Sequence, residues 1–356
     1  MEDEEGVFGM DVIKKQHYSE IDIAKGIGIL LVVIGHAVPD ANTGILNYFW
    51  GGVFRWIYSF PMALFMTMSG VLFYDKAIKC ITREQKLAEI HKRATRLLIP
   101  YSFFSFTILA IKIVFSSLSR RPISGRDLWG IVFGKSPCGN MWFLWTLFVI
   151  STIVLIFPKK RFFPMSVVGV AFIIYFFQDL KFHQFNFGLN KICNMLIWFS
   201  LGMLMGKNID WIKAKYRSNT LVKVLASICL FTLHLIFLKY GYIIEMPYIE
   251  KFILATLGIS LMVIVSFLVA ETNSKASRIL QYFGKNSMCI YVFSYFIQTP
   301  GVTIYRKVGS CGIPYNVWVM GLAVFALLFA EVLTRFVRKK SVLKLLFLGE
   351  KNGTEV

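Results

Sequence analysis

The sequence predicts an all-α integral membrane protein, a bundle of about ten transmembrane helices with both termini cytoplasmic. Three observations carry this. The 356-residue chain is 56% hydrophobic and only 17% charged, with 34 Phe and a mean hydropathy of +0.61. A soluble domain of that length needs more polar surface. The apolar residues gather in repeated runs of about 17–22, each long enough to cross a hydrocarbon core of roughly 30 Å. Finally, 39 Lys and Arg stand against 20 Asp and Glu, a formal charge of +19, and the excess falls in alternate loops, as a positive-inside topology requires. This composition excludes a cytosolic enzyme, a disordered chain and a disulfide-rich secreted module. In a soluble chain the same charge would point first to nucleic acid; here topology accounts for it, so the expected surroundings are membrane lipid and no nucleic acid.

In chain order, the acidic opening MEDEEGVFGM followed by Lys14 and Lys15 lacks the basic start and small-residue cleavage site of a signal peptide. Residues 1–20 therefore read as a cytoplasmic leader. Candidate spans follow at 21–38, 52–74, 97–117, 141–158, 164–179, 190–206, 221–239, 251–270, 286–304 and 316–337. The polar stretch DLKFHQFNFGLN between the fifth and sixth leaves room for a re-entrant piece. One set of loops carries Lys76, Lys79, Arg83, Lys86, Lys92, Arg93 and Arg96, then Lys159 to Arg161, then Lys207, Lys213, Lys215 and Arg217. The same side continues with Lys275, Arg278, Lys285 and Arg338 to Lys340, whereas the opposite side has Arg120, Arg121, Arg126 and Lys135 as its main cluster. Both termini fall on the basic, cytoplasmic side. With no repeat and no low-complexity linker, residues 21–340 form one transmembrane domain, and 341–356 read as a short solvated cytoplasmic tail.

Ionisable groups inside spans cost a few kcal/mol even on lenient insertion scales, so each is a functional candidate. In the first span Lys25 and His36 are eleven residues apart, about 1100° of rotation and so roughly 20° off one face, with about 16 Å between them along the axis. Asp22 shares the stripe. Lys25 fits a cation snorkelling to the headgroups as well as a ligand contact, and Gly26, Gly28 and Gly35 fit close helix packing as well as room for a ligand. At the start of the third span, Arg93 and Arg96 are helix-surface neighbours; they fit a positive-inside anchor and equally a phosphate site, with Lys92 beside them and Pro100 and Tyr101 seating the helix. Arg55, Trp142 and Trp145 lie towards the predicted outer face, where a sugar contact and an aromatic belt are both open readings. Glu331 and Arg335 are spaced to pair, Lys112 to snorkel, and His234 reads as a satisfied bundle histidine. His17, His91 and His183 fall in loops. No His, Cys and carboxylate cluster has metal-ligand spacing, so no metal is expected. The six Cys show no CxxC spacing; Cys138 and Cys311 share one predicted side, but nothing in the sequence demands a bridge.

Five segments, IDIAKGIGILLVVIGH, YSFPMALFMTMSG, KRATRLLIPY, MWFLWTLF and FGKNSMCIYVFSYF, occur in that order over most of the chain. Together they resemble the membrane acyltransferase family 3, close to its fucose 4-O-acetylase-like branch of sugar O-acetyltransferases. The family's basic residue followed after ten positions by His matches Lys25 and His36, and its paired arginines match Arg93 and Arg96. Two motifs depart. The stretch Phe-His-Met-Pro-Leu-Phe is here Phe60-Pro61-Met62-Ala63-Leu64-Phe65, and the usual Tyr-x-x-His of the ninth span is Tyr291-Val292-Phe293-Ser294.

The resemblance implies a bacterial inner-membrane enzyme taking an acyl group, typically acetyl, from cytoplasmic acyl-CoA to a hydroxyl of an extracytoplasmic glycan or lipid-linked sugar. On that reading Lys25, Arg93 and Arg96 receive the polyanionic acyl-CoA. His36 is the general base or the acyl carrier, Asp40 is placed to fix its tautomer, and Arg55 and Trp142 are candidate acceptor contacts. The competing class is an exporter of polysaccharide or glycolipid built on the same bundle, which would want a continuous polar path and paired half-helices. A third reading is a sensor or scaffold that has lost acyl-CoA binding.

Overall fold

Helix starts in this protein follow local chemistry, and the resulting helices converge on the first. The computed structural model describes residues 18–39, 48–114, 125–158, 163–177, 188–216, 219–241, 247–308 and 312–350, all helix and connecting turn without a strand. The helices are α1 (Ser19–Ala37), α2 (Tyr48–Tyr58), α3 (Pro61–Lys79), α4 (Arg83–Val114) and α5 (Gly125–Val132). They continue as α6 (Trp142–Ile156), α7 (Met165–Phe177), α8 (Leu189–Lys207), α9 (Ile209–Tyr216) and α10 (Thr220–Tyr240). The last are α11 (Pro247–Glu271), α12 (Lys275–Lys285), α13 (Ser287–Val308), α14 (Tyr315–Arg338) and α15 (Ser341–Leu348). Pro61 and Pro247 open α3 and α11 at positions whose amide has no helical partner to lose. Asn219 and Ser274 cap α10 and α12 through their side chains, accepting from the amides of Leu221 and Ser277.

Among the described residues six stretches are long and apolar enough to cross a membrane: Phe49–Lys79, α4, α8, α10, α11 and α14. The apolar helices α6 and α7 are shorter. Large apolar side chains face outward along α10, among them Leu221, Leu225, Ile228, Phe231 and Leu235. A patch that size marks a lipid-facing wall, and the protein is a multi-pass membrane protein. α1 and α13 are less apolar, because they carry Glu20, Asp22 and Lys25, or Gln298, Thr299 and Arg306. Yet α1 is central, packing against α2, α3, α11, α12, α13 and α14. Its approach to α12 needs glycine on both sides. A Cβ at Gly26 would collide with the Leu280 carbonyl oxygen, and one at Gly284 with that of Asp22.

The structure differs from the sequence reading in three places. The second span, read as continuous over 52–74, is broken at Ser59–Phe60, because Pro61 has no amide proton to extend α2 and Ser59 Oγ donates instead to the Trp56 carbonyl at 2.6 Å. The ninth span runs to Val308, four residues past the expected end. Finally, residues 341–348 are not a solvated tail. α15 docks on α4, with Phe347 against Phe103, Phe104 and Phe293 at 4.7–5.8 Å between ring centroids and Leu348 only 1% exposed. The possible re-entrant segment at 179–187 lies outside the described residues, as do Asp40, His17, His183 and Cys311. Cys138 has a free thiol that donates to Asn140 Oδ1 at 3.2 Å.

Candidate active site

Polar groups collect at the two ends of α1. At the Lys25 end, Lys25 Nζ donates to Asp22 Oδ1, one turn back, at 3.3 Å. α9 is tied to the same end, with Lys213 Nζ 3.6 Å from Glu20 Oε2 and 4.5 Å over the Tyr18 ring. On α4, Arg93 Nε donates to Glu89 Oε1 at 2.9 Å, and the guanidinium lies 4.0 Å over the Phe73 ring of α3. That pairing holds Arg93 half-buried, while Lys92 and Arg96 are exposed. The charges of Arg93, Arg96 and Lys92 all act on Lys76 at the end of α3, with Glu89 the opposing carboxylate. Arg96 also acts on Cys289 of α13, whose sulfur accepts from Arg338 Nη2 at 3.9 Å. α15 completes this arrangement: its terminal turn at Gly349 (φ +62) presses on the Arg96 backbone so closely that a Cβ there would come within 2.5 Å of Arg96 Cα. The two arginines are thus part of a wider group of cations that draws in Lys76 and Arg338, which sequence reasoning had treated as topological charge. Polyanionic phosphates are the ligands such a group suits.

At the other end of α1, His36 lines a cavity of about 280 Å³ between α1, α2 and α13. Its Nδ1 is 3.0 Å from Tyr58 Oη, and the two rings meet edge to face at 5.7 Å. Tyr58 in turn stacks on Phe54 at 4.0 Å. Gly35 allows this contact, since a Cβ there would sit 2.9 Å from Ile57 Cγ2 and 3.2 Å from the Tyr58 ring. α13 supplies the facing wall with Tyr295, Gln298, Thr299, Thr303 and Arg306. It is fixed to α1 by Gln298 Nε2, which donates to the Val33 carbonyl at 2.6 Å. Tyr58 occupies Nδ1, and Nε2 has no hydrogen-bond partner among the described residues.

The remaining candidates lie elsewhere. Arg55 Nη2 donates to the Leu238 carbonyl at 3.0 Å, closing the end of α10, and Arg55 does not line the cavity. Trp142 carries the Lys191 ammonium 4.6 Å over its ring and is likewise apart from it. Trp145 Nε1 donates to Val132 O at 3.2 Å. Lys112 donates to Pro137 O at 2.8 Å. His234 is fully buried, its Nε2 2.9 Å from Ser59 Oγ, with no hydrogen-bond partner for Nδ1 among the described residues. Glu331 and Arg335 pair at 2.6 Å, and Tyr282 donates to the same carboxylate. Tyr291, which matches the ninth-span motif where Ser294 departs from it, exchanges hydrogen bonds with the backbone and side chain of Asn140 inside the bundle.

A family model described as an acyltransferase domain matches residues 18–335. Curated relatives include the nodulation protein NolL of Sinorhizobium fredii (strain NBRC 101917 / NGR234), 34% identical over 127 residues, which cover 35% of this chain and 32% of that protein. Nodulation protein NolL of Mesorhizobium japonicum (strain LMG 29417 / CECT 9101 / MAFF 303099) is 25% identical over 225 residues, covering 62% of this chain and 56% of that protein. The matches therefore span about a third and just over half the length of these relatives. No solved structure matches the chain. The family match runs through α1, α3, α4 and α13, the helices that bear both polar ends, and the chain belongs to the acyltransferase 3 family.

Proposed function

We propose that the protein is an O-acyltransferase of the bacterial cytoplasmic membrane, transferring an acetyl group from cytoplasmic acyl-CoA to a hydroxyl of an extracytoplasmic glycan or lipid-linked sugar. α1, α3, α4, α6, α7, α8, α10, α11, α13 and α14 make ten crossings, with both termini on the cytoplasmic, Lys25 side. The observation that carries this reading is the pairing of two different environments on one helix. Cations suited to a coenzyme's phosphates gather around Lys76, whose neighbour Asp75 acts on Tyr18 at the start of α1, and at the other end of α1 an imidazole faces a polar cavity.

The fit of acyl-CoA rests on the charge set. Arg96 and Lys92 are exposed and Lys76 stands beside them, so three cations face the phosphates, while Arg93 is held by Glu89 and Phe73 as the fixed point of the group. The coenzyme's thioester arm then has to run along α1 for about 16 Å from Lys25 to reach His36. His36 acts as base only in the tautomer that places its proton on Nδ1, donated to Tyr58 Oη, with the lone pair on Nε2. Nε2 takes the acceptor hydroxyl proton as its oxygen attacks the thioester carbonyl. Collapse of the tetrahedral intermediate expels CoA thiolate, which receives that proton. The alternative uses the same nitrogen: Nε2 attacks first, CoA leaves, and the acceptor hydroxyl then cleaves the acyl-imidazole.

The deciding experiment measures acetyl-CoA binding and hydrolysis by purified protein, wild type beside His36→Ala and Arg93→Ala/Arg96→Ala. We expect the histidine variant to bind without turnover and the double arginine variant to lose binding. A well-folded wild type that fails to bind acetyl-CoA would refute the reading and move the exporter to the front.

A further inference from the structure

A larger cavity, of about 730 Å³, lies towards the Lys25 side of the bundle and shares no residue with the His36 cavity. It is a groove between α8 and α11, which both pack on α3. Thr67 of α3, 1% exposed, forms its floor. A Cβ at Gly202 would collide with the Thr67 carbonyl oxygen, so glycine lets α8 close on α3 behind the groove. Along α8 the lining runs from Trp198 to Asn208, ten residues and about 15 Å of axis. At the deep end Trp198 stacks on Phe252 of α11 at 5.2 Å. At the shallow end α9 reaches from α8 to α11, with Trp211 in the lining and Tyr216 stacked on Phe267 at 5.0 Å.

The hydroxyls in this lining are turned to their own helices. Thr67 Oγ1 donates to the Ala63 carbonyl at 2.9 Å, and Thr256 Oγ1, on the exposed rim, to that of Phe252 at 2.7 Å. A long apolar slot between membrane helices suits an alkyl chain. Its mouth is basic and aromatic. Trp211 is 64% exposed, and the Lys215 ammonium lies 4.9 Å over its ring. Lys207, also exposed, ends α8 beside Asn208. Lys213 is paired with Glu20 at 3.6 Å, which leaves Lys207 and Lys215 against Asp210 among the described residues of this end of α8 and α9. Tryptophan and lysine at the end of a membrane groove match the ester and phosphate level of an anionic lipid. The coenzyme's acyl chain fits less well: Lys76 follows Thr67 by nine residues, about 900° of rotation, and so belongs to the opposite face of α3.

We propose that this groove binds one chain of an anionic glycerophospholipid from the leaflet on the Lys25 side, with the headgroup phosphate at Lys207 and Lys215 and Trp211 at the ester level. The site does not depend on the acyltransferase reading.

The test uses the full-length protein, purified in detergent and stripped of lipid, with dioleoyl phosphatidylglycerol and zwitterionic dioleoyl phosphatidylcholine as probes. Native mass spectrometry counts the retained lipids and ranks their affinities. The wild type is expected to hold one phosphatidylglycerol roughly tenfold more tightly than phosphatidylcholine, since each lysine contributes about fivefold and Asp210 offsets part of it. Lys207→Gln/Lys215→Gln should bring that ratio close to one. Thr256→Trp, which fills the groove from its rim, should lose tight retention of both lipids. Chain-brominated phosphatidylglycerol should quench Trp198 fluorescence, and Trp198→Phe should lose that component, which locates the chain without crowding the groove. Equal retention of the two lipids, a ratio that survives the lysine double variant, or equal quenching in wild type and Trp198→Phe would overturn the proposal. So would displacement of bound phosphatidylglycerol by palmitoyl-CoA, which would give the groove to an acyl donor.

Discussion

Tyr58→Phe removes the hydrogen bond that the described residues give to the proposed catalytic imidazole. The variant deletes a single oxygen, 3.0 Å from His36 Nδ1, and keeps the ring that stacks on Phe54 and meets His36 edge on. Packing is therefore conserved, and the loss falls on the orientation and tautomer of His36. A neutral hydrogen bond contributes about 0.5–1.5 kcal/mol, which is between about twofold and about tenfold in rate. Tyr58 is 51% exposed, so water replaces part of the lost bond and the lower half of that range is expected. The assay is steady-state acetyl-CoA hydrolysis or transfer, with KM and kcat read separately. KM for acetyl-CoA should stay at the wild-type value, because Tyr58 is at the opposite end of α1 from the cations, and kcat should fall a few-fold. An unchanged kcat would refute the orienting role. A loss as complete as that of His36→Ala would also refute it, since Tyr58 would then take part in the chemistry itself.

Two further outcomes follow from contacts away from the cavity. Lys223 is 3% exposed and forms an ion pair with Glu271, which is 40% exposed; Glu271→Ala should strand the buried ammonium and cost about 2 kcal/mol, while Lys223→Met/Glu271→Ala should recover most of it. Thermal unfolding in detergent reads both, and equal destabilisation of the single and double variants would show that the pair is not coupled. Gly349→Val adds a branched side chain at φ +62, where a Cβ already meets the Arg96 backbone at 2.5 Å. It should cost about 1–3 kcal/mol and weaken acetyl-CoA binding through Arg96. Wild-type affinity in a destabilised variant would confine α15 to a structural role.

How much of this was legible in the sequence depended on whether the interacting residues share a helix. Lys25 with His36, Arg93 with Arg96, and Glu331 with Arg335 are intrahelical relations, and helical spacing alone puts each set on one surface. Tyr58 was missed because the run from Gly52 to Tyr74 is apolar apart from Arg55 and a few hydroxyls and reads as one span. The signal was present in Ser59-Phe60-Pro61, where proline at a first helical position marks a new start. Arg306 was missed for a boundary reason: with the ninth span ended at 304, its guanidinium became a loop charge. The α13 wall and the docking of α15 were beyond reach, because Gln298 meets Val33 across 265 residues and Phe347 meets Phe103 across most of the chain. Hydropathy carries no information about such pairings.

The same physics explains why the least hydrophobic spans occupy the middle of the bundle. A helix with Glu20, Asp22, Lys25 and His36 cannot face hydrocarbon without leaving polar groups unsolvated, at several kcal/mol each on the stricter scales. It is stable only where neighbours supply partners, and α1 has six helices around it. α10, which turns an apolar face outward and keeps Lys223 and His234 inward, sits at the other extreme. At that end of the bundle Arg55 of α2 holds Leu238 O, Ser59 of the α2–α3 break meets His234, and the Trp56 and Phe60 rings pack beside them. The broken second span thus serves two neighbours at once: Tyr58 turns to His36, and Ser59, the next residue, turns to His234. An uninterrupted helix would separate those side chains by only 100° and hold both on one rigid rod. The break at Ser59–Phe60, just before Pro61 where this chain departs from the family's Phe-His-Met-Pro-Leu-Phe, is therefore what lets adjacent residues reach opposite sides, one for the cavity and one for the lipid-facing wall.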